Sequence, residues 1–124
     1  MTLNVRSEKN LTGVHPDLVK VVRLASTRAE FVVTEGLRTA ERQAQLVAAG
    51  ASKTQKSRHL TGHAVDLAAL VGNEIRWDWP LYKKLANEMK KAAQELKVSI
   101  EWGGDWRTFK DGPHFQLPWD KYPA

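Results

Sequence analysis

Helix-like and strand-like segments alternate along these 124 residues without the regular spacing of repeated βαβ units, which predicts an α+β fold with a small antiparallel sheet flanked by helices. Two further observations support it. Hydrophobic residues make up 42% and charged residues 27%, the balance of a soluble globular chain. The length suits one domain, with no linker, repeat or low-complexity stretch to divide it, so residues 1–124 are expected to form a single domain.

The elements follow in order. Met1 to Leu11 is polar and lacks the apolar core of a signal peptide, which points to cytoplasmic synthesis. A turn around Thr12, Gly13 and His15 leads to Pro16 at a first helical position, with Leu18, Val21, Val22, Ala25 and Ala29 at helical spacing behind it. Phe31 to Thr34 reads as a strand ended by Gly36. Thr39 is placed to cap a helix through Ala49, with Glu41 in its first turn and Gly50 beyond its end. Ala51 to Thr61, with Lys53, Lys56 and Arg58, reads as a cationic loop, and Ala64 to Val71 as an apolar strand. Asp78 and Pro80 open the longest helix, to about Lys97, with Leu81, Leu85, Met89, Ala92, Ala93 and Leu96 as its buried stripe and its lysines facing water. Val98 to Trp102 and His114 to Leu117 read as strands, Gly103-Gly104 as a turn, and Pro118 to Ala124 as irregular.

Composition narrows the function. There is no cysteine, which excludes disulfide scaffolds, thiolate metal sites and a cysteine nucleophile, so a metal must be held by His, Asp or Glu. No apolar run approaches a membrane span. The net charge of +5 and a pI near 9.6 favour polyanions such as nucleic acid, an anionic membrane surface or cell-envelope polymer, without choosing among them.

Chemistry concentrates in two segments. In Ser57-Arg58-His59-Leu60-Thr61-Gly62-His63-Ala64-Val65-Asp66, Asp66 lies inside an apolar strand. A carboxylate there costs several kcal/mol unless it is paired or binds a cation, roughly the penalty of burying a charge. Alternation sets Ala64, Asp66 and Ala68 on one face, and the small neighbours leave space above the carboxylate. In Asp111-Gly112-Pro113-His114-Phe115-Gln116-Leu117 a carboxylate and an imidazole flank a rigid turn. His59, Asp66 and His114 together make a two-histidine, one-carboxylate set with an open position, the arrangement of a catalytic zinc. Asp111 is then the nearest unused carboxylate for a general base.

The pattern Ser57-x-His59-x-x-Gly62-x-Ala64-x-Asp66 followed by Asp111-x-x-His114 resembles the signature of the zinc peptidases related to D-alanyl-D-alanine carboxypeptidases and dipeptidases. Glu35-Gly36-Leu37-Arg38-Thr39 resembles that family's arginine-bearing turn. Trp102-Gly103-Gly104-Asp105-Trp106 ahead of Asp111 resembles the small phage endolysins that are L-alanyl-D-glutamate peptidases. The similarity spans roughly Pro16 to Leu117.

The resemblance implies a D-Ala-D-Ala peptidase or hedgehog-like zinc fold, with Zn2+ on His59, Asp66 and His114, and Asp111 as base and then acid. It implies that Arg38 stabilises oxyanion charge or binds a substrate carboxylate, although Arg38 can also pair with Glu35 or Glu41. Ser57 is expected beside the site, Trp102 and Trp106 lining the cleft, and Gln116, where many relatives carry Glu, in a supporting or substrate contact. Trp77, Trp79 and Trp119 are read as packing residues, His63 and His15 as non-ligands, and Asp105 as a turn residue.

The activity implied is hydrolysis of the L-alanyl-D-glutamate bond in the stem peptide of bacterial peptidoglycan, by a monomeric endolysin without a separate wall-binding domain. It would be made in the cytoplasm of an infected host, reach the wall with a holin's help, and bind neither nucleic acid nor the membrane interior. The rival readings are a D,D-carboxypeptidase or D,D-dipeptidase on the same scaffold, or a non-catalytic basic binding module.

Overall fold

A computed structural model describes residues 3–50, 57–107 and 110–123, so the Ala51–Lys56 part of the expected cationic loop lies outside the described residues. Among the described residues four α-helices, α1 (Val5–Asn10), α2 (Pro16–Ser26), α3 (Ala40–Ala48) and α4 (Trp79–Leu96), accompany five strands, β1 (Phe31–Glu35), β2 (Ala64–Val71), β3 (Glu74–Arg76), β4 (Glu101–Trp102) and β5 (His114–Gln116). The strands form one antiparallel sheet in the order β1-β2-β5-β4, with β3 pairing β2. This is the expected α+β architecture.

Local chemistry sets the helix ends. Pro16 opens α2, and the His15 ring nitrogen Nδ1 accepts from the Asp17 amide at 3.1 Å. Thr39 caps α3 by accepting from Arg42 N at 3.1 Å. Leu18, Val21, Val22 and Ala25 of α2 are fully buried in one core with Leu85, Met89, Ala92 and Ala93 of α4 and with Val33, Val65, Leu67 and Phe115 from one face of the sheet.

Several details differ from the sequence expectation. The short helix α1 was not expected, and it covers the open edge of β1. Ser7 Oγ accepts from Val33 N at 2.9 Å and Asn10 Nδ2 donates to Val33 O at 2.8 Å, satisfying the edge strand with side chains. Strand β3 was also not expected; it returns from β2 through the two-residue Gly72-Asn73 turn, with Gly72 at φ +62°. On α4 the buried stripe runs through Tyr82 and Ala86, whereas Leu81 is half-buried and Leu96 exposed. The Val98–Trp102 strand shortens to β4, because only Glu101 and Trp102 meet β5 in register.

Candidate metal centre

The register between β2 and β5 places Asp66 directly opposite His114. The third member arrives from a 3₁₀ turn, Arg58–Thr61, that ends at Gly62 with φ +74°. A Cβ on Gly62 would lie 2.3 Å from the Gly13 carbonyl oxygen, so glycine is required both for the backbone angle and for the close approach. Ser57 caps this turn, its hydroxyl accepting from the His59 amide at 3.1 Å. One ligand atom from each of His59, Asp66 and His114 lies within 4.8 Å of the others.

Hydrogen bonds behind the rings fix which nitrogen each histidine presents. His59 Nδ1 is 2.8 Å from the Gly36 carbonyl oxygen, which can only accept, so the proton sits on Nδ1 and Nε2 keeps its lone pair. His114 Nε2 is 2.7 Å from Gln116 Oε1, while Gln116 Nε2 donates to Glu101 Oε2 at 3.3 Å. Glu101 thereby orients the amide so that its oxygen accepts from His114 Nε2–H, which frees Nδ1.

Asp66 Oδ1 is 3.3 Å from both His59 Nε2 and His114 Nδ1. Both Asp66 Oδ1 and His59 Nε2 are buried without a hydrogen-bond partner. Three lone-pair donors facing one another are poor company for themselves and a good fit for a cation. The titration tendencies agree. Burial favours the neutral acid at Asp66, but the electrostatic pull of His114 and His59 beside it overrides this and holds the carboxyl well below its usual range. Burial likewise disfavours a charged His114, yet Asp66 beside it raises the ring's pKa, so the carboxylate draws a proton where a cation would serve.

Arg38 borders this group. Its guanidinium donates to both Glu35 oxygens at 2.7 Å and to Gln43 Oε1 at 2.7 Å, and lies 3.8 Å from Asp66 Oδ2. The Glu35 pairing and the place beside the site are therefore compatible. Asp111 is half-buried; its amide donates to Gly103 O at 3.0 Å, and its carbonyl accepts from His114 N at 3.2 Å, closing the turn into β5. Burial first, then the negative charge of Asp66, pushes its carboxyl up from the ordinary range.

The tryptophans are distributed differently from the expectation. Trp106 does meet the site, its ring centroid 5.2 Å from that of His114. Trp102 does not line an opening: it is 7% exposed, joins the core, and donates its indole N–H to Gly112 O at 2.7 Å. Trp77, Trp79 and Trp119, read as packing residues, are instead exposed. Gln116 is buried behind His114, where it bonds the ring. His63 bonds Thr61 and His15 caps α2, away from the three ligands, while Asp105 pairs with Lys90 at 2.7 Å.

Four contributors were not singled out from the sequence. Gly36 supplies the carbonyl behind His59, and a Cβ there would meet Asn10 O at 2.0 Å. Gln43 is a fully buried polar residue on α3, Glu101 stands behind Gln116, and Tyr82 carries a buried hydroxyl. Burial, then the charges of Asp111, Asp66 and Asp78, push Tyr82 up to about 12, so it stays a neutral donor. Gln43 is one of several polar residues on α3, and the other three take their places through contacts distant in sequence, so none stood out.

Known proteins resemble this chain in sequence and fold. A family model described as phage L-alanyl-D-glutamate peptidase matches residues 1–117. The L-alanyl-D-glutamate peptidase of Listeria phage A118 is 38% identical over 97 residues, covering 78% of this chain but only 34% of that protein, so the chain spans about a third of that relative's length. The enzyme of the same name from Escherichia phage T5 is 34% identical over 111 residues, covering 85% of this chain and 81% of that protein. The crystal structure of Serratia marcescens L-Ala D-Glu endopeptidase ChiX superposes with a TM-score of 0.94 at 51% identity, over 100% of this chain and 95% of that one.

Proposed function

This chain belongs to the phage L-alanyl-D-glutamate peptidase family, and from that membership we propose that it is a zinc-dependent peptidoglycan hydrolase cutting the bond between L-alanine and D-glutamate in the stem peptide. The observation that carries the reading is the convergence of His59 Nε2, Asp66 Oδ1 and His114 Nδ1, two of them buried without partners, on one point.

His59, Asp66 and His114 would hold the zinc, whose chemistry when bound is Lewis acidity towards water and towards the scissile carbonyl. Asp111 acts as general base, taking a proton from the attacking water and returning it to the leaving amine. Its raised pKa suits both directions of transfer. Arg38, fixed by Glu35 and Gln43, stabilises negative charge developing on the carbonyl oxygen. Trp106 flanks the approach beside His114, and Ser57 supports the His59 turn. The same proposal makes the chain a monomeric single catalytic domain of a phage endolysin, held in the host cytoplasm until a holin opens its way to the wall. Among the described residues no helix is long and apolar enough to cross a membrane.

Mass spectrometry of purified peptidoglycan fragments after digestion, with and without chelator, tests this reading. New peptides beginning at D-glutamate, abolished by chelation and restored by zinc, are expected. Release of free D-alanine or its dipeptide would move the bond to the D,D class. No cleavage by folded, zinc-loaded protein would contradict the enzyme reading.

A further inference from the structure

Two exposed tryptophans stand beside the catalytic turn without a role in the chemistry above. Asp66 pairs with both Glu35 and His114, and Ala69 with both Phe31 and Arg76, so β3 and β5 lie along the same edge of β2, opposite β1. The chain leaving β3 therefore runs towards the Asp111-Gly112-Pro113 turn that opens β5. There Trp77 is 59% and Trp79 45% exposed.

Both are anchored from below. The Tyr82 ring lies 6.1 Å from Trp77 and 6.5 Å from Trp79, and Trp102 lies 6.2 Å from Trp79, centroid to centroid. A Cβ on Gly112 would sit in ordinary contact, 3.4 Å from the Tyr82 ring and 3.6 Å from the Trp79 ring, so these rings border the residue between the proposed base and the Pro113-His114 ligand arm. Trp119 is different: the Arg58 guanidinium covers its ring at 4.1 Å.

Resting on the functional reading above, we propose that Trp77 and Trp79 form a platform on which an uncharged N-acetylated amino-sugar ring of the glycan strand stacks while its stem peptide lies in the site. Three points select this occupant. A stem peptide is joined through its first residue to the sugar, so a cut after that residue leaves the sugar within about 10 Å of the scissile carbonyl, a distance of two to three chain units. The charges flanking the pair, Arg76 and Asp78, neutralise one another at 2.7 Å, which suits an uncharged ligand and leaves anionic polymer to the lysine face of α4. Rigid, core-anchored rings present their electron-rich faces to sugar C–H groups at little entropic cost.

The test separates this platform from the cleavage reading. Kinetics are measured on the free stem peptide and on the same peptide carried by its N-acetylmuramyl disaccharide, for wild type and Trp77→Ala. The variant should raise KM about fivefold on the sugar-bearing substrate, the scale of one aromatic stack, and leave the free peptide unchanged. In parallel, chitotetraose should quench tryptophan fluorescence saturably in wild type and much less in Trp77→Ala. Equal effects on both substrates, or a quench that is absent in wild type or undiminished in the variant, overturn the platform. If wild type cleaves neither peptide, the cleavage reading fails and the chitotetraose arm alone decides the platform.

Discussion

On one face of β2, Val65 and Leu67 are fully buried in the core with Phe115 and the apolar faces of α2 and α4. On the other, Asp66 remains one-fifth exposed and directs a partnerless oxygen at two histidines. One eight-residue strand thus carries a face that stabilises the fold by burial and a face whose donor atoms are positioned to bind a metal. The alternation of side chains allows this division, because neighbours along a strand answer to different surroundings.

The comparison breaks most completely at Asp66. Asp66→Ala should abolish zinc binding and hydrolysis, as equilibrium dialysis and an activity assay will show. Asp111→Asn should keep zinc but lower kcat by about 10²–10⁴, the usual worth of a general base. Asp111 must be ionised to act, so kcat/KM falls as pH drops through its pKa. Because burial and Asp66 raise that pKa, the acid limb should lie above the ordinary carboxylate range and disappear in the variant, with zinc loading moving it to lower pH.

Leu67→Ala probes the opposite face. It should cost about 2–5 kcal/mol in chemical denaturation, equally with and without zinc. A disproportionate loss of zinc affinity would mean that the two faces are not separable. Gln116→Ala should be milder, weakening zinc affinity about 10- to 100-fold in a competition titration by freeing the His114 ring.

Much of this division was legible in the sequence. Strand alternation around Asp66, the Thr39 cap and the His59, Asp66 and His114 set follow from local pattern, and the structure brings those three side chains together. What escaped depended on distant partners. Helix α1 has only one buried residue, Ser7, so no hydrophobic period marks it. Tryptophan identity does not tell Trp102, whose indole finds a carbonyl in the core, from Trp77 and Trp79, which stay at the surface. On α4, Tyr82 takes the stripe position in place of Leu81, its ring lying beside Gly112, 30 residues away along the chain.

The most direct measurement is a zinc titration of chelator-stripped protein, followed by metal stoichiometry and thermal melting, for wild type and Asp66→Ala. The account predicts one zinc per wild-type chain with a higher melting temperature on loading, and neither in the variant. Zinc that binds and stabilises both proteins alike would contradict it.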